Sequence, residues 1–106
     1  MILHCVFCGF RDGTGQTERL AILSELERFS LTLDGVLGFD HGPNADFENR
    51  SPGITDGFVI RFQDRAALRS YADHPTHRML GDRLRGMCRD GEGGLVAVDL
   101  VCAGGG

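Results

Sequence analysis

Tyr71, His74, Pro75 and His77 fall within seven consecutive positions of the stretch YADHPTHRML. A phenol and two imidazoles at this spacing suit proton transfer, provided one ring stays neutral. Proline has no backbone N–H and biases the residue before it away from helical angles, so a helix ends near Ala72 or Asp73 and a new one starts with Pro75. His77 then sits in the first turn, where the positive end of the helix dipole disfavours a protonated imidazole. A neutral ring of that kind can act as a general base. Tyr71, the only tyrosine, closes the preceding helix, and a break at His74 lets its hydroxyl and the His77 ring face one opening. The same residues also read as a plain polar helix junction, with His74 as a cap.

His4 is the second point of interest. It stands in the apolar run ILHCVFCGF, on the strand face shared with Val6, Cys8 and Phe10, and a buried imidazole there needs a hydrogen-bond partner. Asp56, at the start of another strand, is the expected partner, either orienting His4 or sharing a water with it; a satisfied core histidine is the alternative.

These side chains depend on the elements that carry them. The first strand covers about 2–10 and ends at the turn-like RDGTGQ. Leu20, Leu23, Leu26 and Phe29 recur at helical spacing over about 16–30, opposite Glu18, Arg19, Glu25 and Arg28. A second strand, VLGFDHG, leads into a loop rich in proline, glycine and asparagine, and a third strand spans about 56–62. Asp64 caps a helix from Arg65 to about Ala72, a second helical piece runs from Pro75 to about Cys88, and GLVAVDLVC is the last strand. The order predicts a ferredoxin-like β-α-β-β-α-β sandwich, α+β in class, with a four-stranded antiparallel sheet. Two helices can cover only one face of a four-stranded sheet. Leu3, Cys5 and Phe7 point to the other, so a second copy is expected against it, forming a homodimer.

Composition narrows the function classes. The chain has 106 residues, a net charge of −4, and 11 basic residues that are all arginine and form no run. No nucleic-acid footprint and no anionic-membrane patch is expected. The N-terminal apolar run is too short for a membrane helix and lacks a basic lead-in, so a cytoplasmic location is expected. Cys5 and Cys8 form C-x-x-C, yet residues three apart on a strand point to opposite faces and cannot share a ligand. Neither a metal nor a cofactor is expected. Residues 1–102 read as one domain and 103–106, AGGG, as a flexible tail.

HCVFCGFR, GVLGFDHGPN, SPGITDGFVIRF and LRSYADHPTHRML together resemble the stress-response α/β barrel (Dabb) family across about residues 2–101, with Y-x-x-H-P-x-H the most specific element. The resemblance implies dimers whose two sheets form a shared barrel. It also implies kinship with olivetolic acid cyclase-like members, plant polyketide cyclases that close a linear tetra-β-ketide by an aldol condensation without a cofactor. Their catalytic tyrosine and histidine match Tyr71 and His77, and their strand histidine matches His4. Asp56 stands where they have a histidine, and Leu80 and Ala72 replace bulkier groups. Substrate contacts are therefore expected from Asp56, Val6, Cys8, Phe58, His74 and Leu80, around a small apolar or carbonyl-bearing ligand. Arg78 and Arg83 read as solvated helix residues. The expected activity is that of a cyclase or lyase. A non-catalytic, stress-related ligand-binding dimer and a cofactor-free monooxygenase or haem-degrading enzyme are the alternatives.

Overall fold

The computed structural model describes residues 1–90 and 94–102. The chain runs β1 (Ile2–Cys8), α1 (Gln16–Ser30), β2 (Val36–Pro43), β3 (Asp56–Phe62), α2 (Arg65–Asp73), α3 (Pro75–Met87) and β4 (Leu95–Val101). The strands form one antiparallel sheet in the order β2-β3-β1-β4. This is the ferredoxin-like arrangement expected from the sequence, with its second helix split in two. The expected tail, 103–106, lies outside the described residues.

Strand alternation decides which side chains meet the helices. Ile2, Val6 and Cys8 of β1 and Phe58, Ile60 and Phe62 of β3 are buried against Ile22, Leu23 and Leu26 of α1, Tyr71 of α2, and Leu80 and Leu84 of α3. Leu20, expected in this stripe, is 45% exposed, whereas Ile22 is 1% exposed. The buried set of α1 is Ile22, Leu23, Leu26 and Ser30, a face rotated away from Leu20. β1 also ends sooner than its apolar run suggests. Gly9 N–H donates to the Gly94 carbonyl and the Gly9 carbonyl accepts from Arg89 N–H, so the chain leaves β3 there, and Phe10 bridges Cys88 instead.

The break between α2 and α3 follows the proline argument. His74 is extended (ψ 133°) and caps both helices: its backbone N–H donates to the Tyr71 carbonyl, and its Nδ1 accepts from Thr76 N–H at 3.0 Å. Asp64 caps the start of α2 through Ala67 N–H at 2.9 Å. Gly35 sits at φ +82°, and a Cβ there would come within 2.6 Å of the Ala67 Cβ, so β2 begins where only glycine fits against α2.

Among the described residues, no element of this chain covers the other sheet face. Leu3, Cys5 and Phe7 pair in register with Leu100, Val98 and Val96, and Phe7, Val96, Val98 and Leu100 are 37–49% exposed. Towards β2 the face turns polar, with Arg61 donating to Asp40 at 2.9 Å.

Candidate functional site

A cavity of about 690 Å³ opens between the sheet and α3. His4, Val6 and Phe58 form its sheet wall, and Tyr71, His77, Gly81 and Leu84 its helical wall. A second recess, between α2 and β4, is bordered by His4, Tyr71, His77 and Asp99. The two histidines and the tyrosine thus stand between the two openings. Their rings pack together: Tyr71 lies 4.3 Å from His77 and 5.7 Å from His4, centroid to centroid.

His77 projects from the first turn of α3 back toward α2, where its Nδ1–H donates to the Ala72 carbonyl at 3.1 Å. A carbonyl can only accept, so this contact fixes the tautomer and leaves Nε2 free to take a proton. Nε2 borders the cavity beside Gly81, whose absent Cβ would lie 4.0 Å from it. Burial lowers the His77 pKa, with His4, Arg78 and Arg85 adding to the effect and the Ala72 carbonyl opposing it.

His4 is fixed by a residue that the sequence reading did not single out. Its Nδ1–H donates to Asp99 Oδ1 at 2.6 Å, directly across the β1–β4 ladder. Its Nε2 is therefore the nitrogen without the proton when the ring is neutral. Asp99 hides in an apolar strand, GLVAVDLVC, and is detectable as its one charged residue.

Tyr71 is 1% exposed and packs on Phe62, Phe29 and both histidines. Burial pushes its phenol well above the usual range, and the nearby Ser30 hydroxyl offsets this only in part. Ser30 Oγ itself completes no hydrogen bond. Tyr71 and His77 meet ring on ring, and no hydrogen bond joins them among the described residues. A phenol held protonated next to a neutral imidazole gives a donor and a base in one site.

Among the other expected contacts, Val6 and Phe58 line the cavity, and Cys8, Asp56, His74 and Leu80 do not. His74 is used as the helix cap and packs edge-on against Phe29. Leu80 is 3% exposed and faces the core. Cys8 is fully buried; its thiol interacts with that of Cys88, which does line the cavity. The Cys8 hydrogen bond lowers the Cys88 pKa, while the same contact and burial raise that of Cys8.

Asp56 does not partner His4. It pairs with Cys8 in the β1–β3 register, whereas His4 pairs with Ile60, so four residues, about 13 Å at strand rise, separate them. Asp56 instead faces Arg19, Nε to Oδ1 at 3.3 Å, which turns inward from the side of α1 expected to be solvated. Both atoms are buried without a well-formed hydrogen bond, so the pair leans on charge attraction. Removing only the cation strands the carboxylate: Arg19→Met is expected to lower unfolding free energy by about 2–4 kcal/mol, read by urea denaturation. Arg19→Met combined with Asp56→Leu should recover most of the loss. An unchanged midpoint in the single variant would show the pair to be irrelevant to stability.

Among the described residues no helix is long and apolar enough to cross a membrane. No curated protein matches the chain. A dimeric ferredoxin-like protein of unknown function from Jannaschia sp. CCS1 is 36% identical, with 95% of this chain and 98% of that one covered and a TM-score of 0.86. A Dabb family protein with a ferredoxin-like fold from Mesorhizobium loti is 23% identical over 97% of both chains, TM-score 0.75. A hydroxynitrile lyase from Passiflora edulis shares the fold at 13% identity, covering 97% of this chain and 94% of the other, TM-score 0.82. The model of the stress responsive A/B barrel domain matches residues 2–102, and the chain belongs to that family, Dabb.

Proposed function

We propose that the protein is a cofactor-independent cyclase or lyase that moves a proton at carbon next to a carbonyl. The observation that carries this reading is the His77 tautomer: Nδ1 is committed to the Ala72 carbonyl, and Nε2 borders a cavity shared with Tyr71 and His4. In this reading His77 Nε2 takes the α-proton and Tyr71 donates a hydrogen bond to the developing enolate oxygen. His4, steadied by Asp99, accepts through Nε2 a hydrogen bond from a hydroxyl of the substrate or of its enol form. The sheet wall is largely apolar, while Arg78, Asp82, Arg85, Arg89 and Asp90 stand on the other side of the cavity, an arrangement that suits a small substrate with an apolar body and a polar end. Incubation in D2O with a panel of β-keto esters and 1,3-diketones, followed by NMR, tests it. The protein is expected to accelerate α-proton exchange of at least one compound above matched imidazole buffer. Binding without acceleration would instead identify a ligand-binding protein.

We also propose that the functional unit is a homodimer joined through the open sheet face. A four-stranded sheet with two free edges cannot close into a barrel alone, and the exposed row Phe7, Val96, Val98 and Leu100 is the apolar surface a second copy would cover. Val98→Asp places a charge in the middle of that row. It is expected to weaken dimerisation by at least about 100-fold, as a charge buried without a partner costs several kcal/mol, in sedimentation equilibrium. Unchanged affinity would place the interface elsewhere.

A further inference from the structure

The loop 44–55, between β2 and β3, holds a phenylalanine in water. Phe47 is 97% exposed, although the loop around it is tightly built. One Asp46 carboxylate oxygen accepts from Arg50 N–H at 3.0 Å, Ser51 N–H at 3.2 Å and the Ser51 hydroxyl at 2.7 Å. Asn44 Nδ2 donates to Ser51 Oγ and to the Ile54 carbonyl, and Asn44 Oδ1 accepts from Asp46 N–H. Asp46 and Asn49 adopt left-handed conformations, φ 45° and 54°, which non-glycine residues take at a cost. The loop is therefore organised around displaying its aromatic tip rather than tucking it inward.

An apolar recess of about 470 Å³ lies at the base of the same loop, on the open sheet face, lined by Phe7, Pro43, Ile54, Gly57 and Val96. These residues mark the end of β1, the end of β2, the start of β3 and the start of β4, so the recess and the loop share one end of the sheet. β2 and β4 are the two sheet edges. Closing two such sheets into one barrel by a two-fold axis along the strands sets β2 of one copy beside β4 of the other and keeps like ends together. The Phe47 loop, which continues β2, then arrives at the start of the partner's β4, where Val96 borders the recess. The contact is reciprocal, as a two-fold interface requires.

We infer that Phe47 of each protomer seats in the other protomer's recess, between the partner's Phe7, Pro43, Ile54 and Val96. This rests on the homodimer reading and adds a specific anchor to it. A buried aromatic anchor flanked by apolar surface is the usual dominant contact of an interface.

The test combines sedimentation equilibrium of wild type and Phe47→Ser with photo-crosslinking from p-benzoylphenylalanine at position 47, mixed with an isotopically labelled wild-type chain. Phe47→Ser is expected to keep its circular dichroism spectrum and raise the dimer Kd about 100-fold or more, because two seats are lost and each carries about tenfold or more. The cross-link is expected between labelled and unlabelled chains, on peptides containing Phe7 or Val96. A dimeric wild type whose Phe47→Ser variant dimerises equally well, or whose cross-links stay within one chain or fall on the helices, overturns the anchor and leaves the dimer standing. A monomeric wild type removes both.

Discussion

His77→Gln is expected to lower protein-catalysed α-proton exchange by about 10²–10⁴-fold, the usual contribution of a positioned general base. Glutamine is close to the ring in length and its amide N–H can still donate to the Ala72 carbonyl, so the α2–α3 junction keeps its contact while the basic nitrogen disappears. The pH profile supplies a second readout. Because the folded-state pKa of His77 is lowered below 6.5, the ring stays neutral at pH 7 and protonates only as pH falls through that lower value. The exchange rate should therefore hold from pH 8 to about 6.5 and drop below it. Stability has the same sign. The unfolded chain takes up the proton first, so the His77 contribution is intact above about pH 6.5 and is lost progressively as pH falls. NMR titration of the ring and urea denaturation at pH 7.5 and 5.5 would show both trends in wild type, and a smaller stability difference between the two pH values in the glutamine variant. A His77 midpoint above 6.5 would contradict the buried environment, and an exchange rate untouched by the substitution would remove His77 from the chemistry.

What could be read in the sequence divides along physical lines. Strand period, helix period and the proline at position 75 are local signals, and they place the α2–α3 break, the helix-side set Val6, Cys8 and Phe10, and the open-face set Leu3, Cys5 and Phe7. The juxtaposition of Tyr71 and His77 follows from that break, because a chain that must restart a helix four residues after Tyr71 returns the first turn of α3 toward the end of α2. The His4 partner required strand register, which no local pattern contains. Both Asp56 and Asp99 lie on strands neighbouring β1, and only the pairing of His4 with Asp99 rather than with Asp56 settles the choice. Arg19 shows a similar limit. A long arginine side chain on a polar helix face can still fold back to a buried carboxylate, so helical periodicity alone assigned it to solvent. Apart from Tyr71 and His77, the cavity-lining residues legible in the sequence sit on strands. Val6 and Phe58 follow from alternation, whereas Gly81 and Cys88 depend on how far α3 stands off the sheet.

Two substitutions at Tyr71 should separate packing from chemistry. Tyr71 is among the largest fully buried side chains of the protein, and four aromatic or imidazole rings rest on it. Tyr71→Ala leaves a cavity at that junction and is expected to cost about 3–5 kcal/mol, a fall in Tm of roughly 12 °C or more at about 4–8 °C per kcal/mol. Its loss of activity would then say nothing about the hydroxyl. Tyr71→Phe keeps the ring and removes only the oxygen. The neighbouring Ser30 hydroxyl completes no hydrogen bond with it, so stability should change by no more than about 1 kcal/mol. The exchange rate, by contrast, is expected to fall about 10²–10³-fold if the phenol holds the enolate oxygen. Because burial raises the phenol pKa, Tyr71 remains a donor throughout the accessible pH range, and the wild-type rate should show no alkaline decline below pH 10. Full activity in a stable Tyr71→Phe variant would reduce the residue to a brace for His4 and His77 and remove the phenol as the oxygen-stabilising group; a neutral His4 could not replace it, because its one ring proton is committed to Asp99.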